Sequence, residues 1–337
     1  MSKDFTLEHK DEHPHMPDPS IKNFNESVYV NGFDPNLGLG GWMRLGNRAN
    51  EGYAEMQVCL YVPGNRVVCM FQRPKIDSNE RFGAGGLNYE VIEPFKSVKM
   101  SYEGELMVLE DPGLLRDAKK LFSTAHRDKG GVTMTQEAIS PVHGGRPTRD
   151  DVVPYYGRDF SLNHFNQHME VKGKIWFGND SWDIDGYGWR DHSWGPRYWQ
   201  NIFFHRLYLA NFDNGNAFQL LRINKDPDLP MRRLGVVLVD GSYEEVVDLD
   251  VVTNWDEEKD PRSYTIVVRT SKRSAVIKGE IVTLAPLRNR RKVGDEWLKS
   301  RICEAFTKFT WDDGAVGYGM TEYIERYEGD KLVGYPL

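Results

Sequence analysis

Between Trp189 and Arg197 the chain carries a carboxylate (Asp191), an imidazole (His192), a hydroxyl (Ser193) and two guanidiniums (Arg190, Arg197), framed by Trp189 and Trp194. Such groups are costly to bury without partners, so their density points to a site more than to a scaffold. The surrounding 33 residues, Trp176 to Tyr208, hold eleven aromatic side chains, five of them among the nine tryptophans of the chain. If residues 189 to 193 are extended, Trp189, Asp191 and Ser193 share one face and Arg190 and His192 the other. The acidity of Asp191 depends on that facing. Against tryptophan and away from arginine, desolvation raises its pKa and makes it a proton donor near neutrality; paired with Arg190 or Arg197, or accepting backbone N–H groups, it is depressed and structural. Both readings stand at the level of sequence.

The elements that must position these residues read as strands. Period-2 runs such as AEMQVCLYV (54–62), RVVCMFQ (66–72) and SVKMSYE (97–103) alternate with turn residues. A second series from residue 164 onward is punctuated by Asp213-Asn214-Gly215, Asp240-Gly241 and Asp313-Gly314. One helix is expected over 114–127, and a Gly- and Pro-rich loop after it, to about residue 159. The fold class is therefore all-β, with antiparallel barrel or sandwich domains in tandem and few short helices. The expected division is a flexible tail over 1–20, a first β domain over 21–165 with a helix and loop insertion near 112–160, and a second over 166–337 that carries Asp191. Barrels of about eight strands can hold one small ligand, which gives the aromatic residues a use.

Composition removes several function classes. A formal charge of −7 opposes the basic footprint that nucleic acids require. No apolar stretch of membrane-spanning length or secretory leader is present, so the cytoplasm is the expected location. Cys59, Cys69 and Cys303 form no CxxC pair, and His9, His13 and His15 lack a regular ligand spacing, so neither a disulfide framework nor a metal site is expected. Gly-rich runs at 38–41 and 83–86 lack the strand-to-helix context of a nucleotide fingerprint. His164, Gln167 and His168 could enter a barrel mouth, although a lone strand histidine is more often structural. His205 has Glu322 or Asp191 as a candidate partner.

The run GYGWRDHSWGPRYW (186–199) resembles the glycine-flanked Asp-His-Asn/Ser-Trp-Gly motif of the carotenoid 1,2-hydratase and AttH-like superfamily. It is most similar to a bacterial branch with RDHSWG, an upstream pair matched by Asn166-Gln167, and a stretch like DPNLGLGGWMRLGNRANEG (34–52). Relative to the carotenoid enzymes, Ser193 stands where Asn is usual and Trp189-Arg190 precede the motif. The resemblance implies two lipocalin-like (calycin-type) barrels and a hydratase, isomerase or cyclase acting on an isoprenoid, terpenoid or polycyclic molecule. Hydration of an unactivated alkene needs a proton delivered to carbon, a stabilised cation and a positioned water. On that basis Asp191 is the candidate acid and His192 the orienting group. Trp182, Tyr187, Trp189, Trp194 and Tyr208 are candidate walls, with Arg190 and Glu322 as polar lining. The implied enzyme is a lyase of the hydratase or dehydratase type, without a cofactor or metal. Its expected partner is an apolar small molecule, with a homodimer as an optional assembly; a non-catalytic carrier of an apolar ligand is the alternative.

Overall fold

The computed structural model describes residues 4–158, 160–199, 202–293 and 295–336. Two closed rings of eight strands dominate it, as the all-β reading requires. The first ring comprises β1 (Phe24–Asp34), β2 (Leu39–Arg48), β3 (Tyr53–Val62), β4 (Arg66–Gln72), β5 (Ser97–Leu109), β6 (His126–Ala138), β7 (Asn163–Phe177) and β8 (Asp180–Pro196). Each strand pairs with the next in sequence, and antiparallel pairing of β8 with β1 closes the ring. The second follows the same plan: β9 (Phe204–Phe212), β10 (Ala217–Asn224), β11 (Arg232–Val239), β12 (Ser242–Trp255), β13 (Pro261–Thr270), β14 (Ser274–Val293), β15 (Glu296–Trp311) and β16 (Val316–Glu328). Here β16 returns to β9. Asp240-Gly241, one of the turn signals, joins β11 to β12 with φ of 50° and 71°. That is the positive-φ geometry that a two-residue hairpin demands.

Two compact units result, one of them made of the chain up to Val62, Val68–Val108 and His126–Trp199. The other takes Pro63–Val67, Leu109–Ala125 and the chain after Trp199. The division after Trp199 differs from the one expected near residue 165. The reason is pairing: β7 and β8 form a long hairpin whose outer edges are hydrogen-bonded to β6 and β1. The motif strand β8 is therefore part of the first unit.

Three further expectations change. Residues 1–20 are not a loose tail throughout, because a 3-10 turn at His9–Glu12 buries Asp11 and Glu12 completely. The helix over 114–127 is shorter: a 3-10 turn at Pro112–Arg116 is followed by Ala118–Thr124, whose first turn is capped by Asp117 accepting from the Lys120 amide at 3.0 Å. The loop expected after it contains strand β6 and the short strand His143–Pro147. Glycine composition obscured β6. Gly130 and Gly131 sit where a Cβ would lie 2.3 Å from Trp176, so these glycines permit close approach of β7 rather than marking a turn.

In the first ring the inner face is apolar through most of its length. Val28, Val30, Met43, Leu45, Met56, Val58, Val98, Met100, Val132 and Met134 are all fully buried there. In the second, Tyr208, Phe218, Leu220, Leu249, Tyr264, Ile266 and Phe309 belong to one buried cluster. No described helix is long and apolar enough to cross a membrane.

Candidate functional site

Strand β8 runs extended through the motif despite its glycines, which serve packing: a Cβ on Gly188 would lie 1.9 Å from the Asn31 carbonyl oxygen of β1. Side chains alternate as expected. Arg190, His192 and Trp194 face one way, Trp189, Asp191 and Ser193 the other.

The Arg190 side is a set of ion pairs. Arg190 grips Glu12 with both terminal nitrogens, at 2.6 and 3.1 Å, and donates to Gln167 Oε1 at 2.7 Å. Its third contact is the Tyr89 hydroxyl at 3.4 Å. His192 Nε2 lies 2.9 Å from Glu26 Oε1, and His15 Nδ1 reaches the same oxygen at 2.6 Å. The other Glu26 oxygen accepts from the His15 amide and from the Asn79 side chain. Burial alone would raise the Glu26 carboxyl, but hydrogen bonds from His15 and His192 outweigh it and hold the group below its ordinary value. His15 also stacks on Trp194, with centroids 4.0 Å apart. The ligand-type atoms of His15, Glu26 and His192 all lie within 4.8 Å of one another, a spacing able to hold a metal ion. Both carboxylate oxygens are already engaged by protein donors, which suits a structural His–Glu–His triad.

The opposite side has different chemistry. Asp191 Oδ2 lies 3.4 Å from Nε2 of His164, which is buried whereas the Asp191 side chain is 20% exposed. The histidine partner of the candidate acid is thus His164; His192, to which the sequence reading gave the orienting role, points to the other face. His164 is held by Tyr155, parallel to it at 5.7 Å, and Tyr156, edge-on at 4.3 Å. Burial lowers its pKa, while the hydrogen bond and charge of Asp191 act in the opposite sense. Directly across from Asp191 stand Asn166 on β7 and Tyr29 on β1. Tyr29 stacks with Trp42 at 6.1 Å and meets Trp189 edge-on at 5.9 Å, so the residue across from Asp191 belongs to a cluster of three rings. Several buried polar atoms here have no partner among the described residues: both amide atoms of Asn166, Trp189 Nε1 and His164 Nδ1. Buried polar groups are usually hydrogen-bonded; Arg190 Nε and His192 Nδ1 on the other face are likewise unpartnered among the described residues, but here the unpartnered atoms accompany a partly exposed carboxylate, where a polar reactant or water can be held.

Of the other sequence candidates, Trp182 packs on Phe177 at 5.6 Å near the hairpin turn. It lies nine positions before Asp191, about 30 Å of extended chain. Tyr187 is exposed, and Trp194 shares the His192 face. Tyr208 and Glu322 belong to the second unit. There the Tyr208 hydroxyl lies 2.8 Å from that of Tyr323, which in turn meets Thr253 Oγ1 at 2.7 Å. Glu322 pairs with His205 at 2.9 Å, the partnership considered from sequence. The residues that sequence reasoning underrated are His164, Tyr29 and Trp42. The available signal was the β7–β8 hairpin: the turn after Phe177 pairs Phe177 with Asp180, and counting back puts His164 opposite Ser193 and Asn166 opposite Asp191.

Outward-facing Arg44 and Arg48 on β2 flank Glu55 at 3.1 and 2.8 Å. Burial would raise the Glu55 carboxyl, but the two guanidiniums pull it down to about 2. Because the folded value is depressed below 4.5, ionised Glu55 stabilises the fold above that pH. The contribution, on the order of 3 kcal/mol, is lost as pH falls toward 2. Urea midpoints measured from pH 5 to 2.5 are expected to fall more steeply for the wild type than for Glu55→Gln; equal slopes would contradict this assignment.

Solved structures with the same fold span nearly the whole chain. An AttH-type protein of Nitrosomonas europaea superimposes with a TM-score of 0.57 at 14% identity, covering 96% of this chain and 97% of that one. Kievitone hydratase of Nectria haematococca gives 0.57 at 8% identity, with 95% and 93% covered. CghA gives 0.55 at 10% identity, with 97% of each chain covered. None of the curated proteins matches the sequence. The model of one family, described as a domain of unknown function (DUF7064), matches residues 8–326, all but the ends of both units. The chain belongs to the DUF7064 family.

Proposed function

We propose that the protein is a hydratase-type lyase that adds water to, or removes it from, a carbon–carbon double bond in an apolar isoprenoid, terpenoid or polycyclic molecule. The observation that carries this reading is the Asp191–His164 pair, set on a face that combines aromatic rings with unpartnered polar atoms. The similarity to kievitone hydratase, a protein of the same fold, supports it.

The chemistry balances with side chains alone. The Asp191 carboxylic acid gives its proton to the alkene carbon that leaves the more stable cation, and becomes a carboxylate. The Tyr29, Trp42 and Trp189 rings stabilise that cation, each by up to about 2 kcal/mol when desolvated. A water held by the Asn166 amide attacks the cation and passes a proton to His164 Nε2. Burial favours the neutral form of His164, so it is available as the acceptor. The imidazolium then returns the proton to Asp191, 3.4 Å away. Read backwards, the same steps dehydrate a tertiary alcohol.

Incubation of the protein with prenylated aromatics and terpenoid alkenes in heavy-oxygen water tests the reading. Products that carry one labelled oxygen are expected; conversion to unlabelled isomers only would replace hydration by isomerisation or cyclisation.

A further inference from the structure

We propose that Arg44, Arg48 and Arg197 form a receptor for the carboxylate of an otherwise apolar ligand, on the outer face that also carries Asp191. The proposal rests on the reading of that face as the substrate face, and it names the polar end of the substrate.

The cluster is built from β2 and the end of the motif. Alternation sends Trp42, Arg44 and Arg48 outward from β2, and Gly46 between them supplies the room: a Cβ there would lie 2.7 Å from Arg44 Nη2. Arg44 donates to Glu55 at 3.1 Å, to Gln57 at 3.2 Å and to Asn25 at 3.4 Å. Arg48 donates to Glu55 through Nε alone, at 2.8 Å. Its two terminal nitrogens are buried and have no partner among the described residues, and the Asn25 amide nitrogen is in the same condition. Arg197 is anchored by the Phe160 carbonyl at 2.5 Å and by Ser193 Oγ at 2.9 Å. Its guanidinium lies over Phe160 at 4.0 Å and over Trp199 at 5.1 Å, and Arg44 lies over the same Trp199 ring at 5.5 Å.

Charge then decides what is missing. The groups acting on Arg197 include two further guanidiniums, Arg44 and Arg48, and two carboxylates, Asp191 and Glu55. Guanidiniums outnumber carboxylates here, and Glu55, the carboxylate bonded to the cluster, is already shared by Arg44 and Arg48. All three arginines are buried, Arg48 completely. Burial, reinforced by Arg44, pushes Arg197 down to about 9, so it remains cationic at neutral pH. A buried unpaired guanidinium is strongly unfavourable, and a fork of free N–H groups matches a carboxylate in both shape and charge. The unpartnered N–H groups of Arg48 suit a carboxylate, and the Trp199 and Phe160 rings suit an apolar body attached to it.

Isothermal titration of the full-length protein with geranate, geraniol and inorganic phosphate tests this. Geranate is expected to bind roughly tenfold to a hundredfold tighter than geraniol, the range for charge-assisted hydrogen bonds. Arg48→Gln is expected to erase the preference, and Asp191→Asn to keep it. The proposal is overturned if geranate does not bind, if it binds no tighter than geraniol, if the preference survives in Arg48→Gln, or if phosphate matches geranate. Should Arg48→Gln fail to fold, Arg48→Lys and Arg197→Lys take its place, with a weakened preference expected and an unchanged one contradicting it. The two readings fail separately. A missing preference leaves labelled hydration of neutral alkenes untouched, whereas absent hydration leaves the geranate preference in place.

Discussion

Asp191→Asn is expected to reduce kcat by about a thousandfold while the thermal midpoint stays close to that of the wild type. The two halves of this expectation have separate physical causes. A positioned general acid typically contributes 10²- to 10⁴-fold, and asparagine cannot donate a proton to carbon. The fold tolerates the change because the Asp191 side chain is partly exposed and its hydrogen-bond partner, His164, can be met by an amide oxygen at the same place. His164→Gln removes the proton acceptor but leaves the acid, so its defect is expected to be smaller and to diminish as external buffer base is raised. His192→Gln should behave differently, lowering stability through the loss of the Glu26 contact. A kcat defect in His192→Gln as large as that of Asp191→Asn, with the fold intact, would place the chemistry on the wrong face.

The largest effect on stability is expected from Arg190→Met. Arg190 and Glu12 are both fully buried and joined by two hydrogen bonds, so removing the guanidinium strands a carboxylate in the protein interior. Breaking one partner out of such a pair costs about 3–5 kcal/mol, which for a unit of this size lowers Tm by on the order of 10 °C. The double variant Glu12→Met/Arg190→Met should recover much of the loss, since no unpaired charge remains. If the single variant melts with the wild type, or the double variant melts below the single, the desolvated pair is not what fastens the N-terminal segment to β8.

Much of the fold was legible because barrel strands leave local marks. Alternation in 54–62 and 66–72 and positive-φ turn residues such as Asp240-Gly241 depend only on near neighbours. What was not legible depended on contacts distant in sequence. Gly130 and Gly131 look like loop residues until Trp176 is placed against them. His15 and Glu12 look like tail residues until His192 and Arg190 are brought to them over more than 170 positions. At the site, alternation correctly separated Asp191 from Arg190 and His192, but it left Arg197, which is bonded to Ser193, on the Asp191 face. Nor did it identify the histidine. Adjacency in sequence favoured His192, but neighbours along a strand point to opposite faces, and the residue that reaches Asp191 comes from the next strand.

The central claim is that Asp191 and His164 deliver a proton to a carbon–carbon double bond and water completes the reaction. Mass spectrometry of products formed from one alkene in heavy-oxygen water by wild type, Asp191→Asn and His192→Gln tests it most directly. Labelled alcohol is expected from the wild type and from folded His192→Gln, and at most traces from Asp191→Asn. Labelled alcohol formed at the wild-type rate by Asp191→Asn would contradict it.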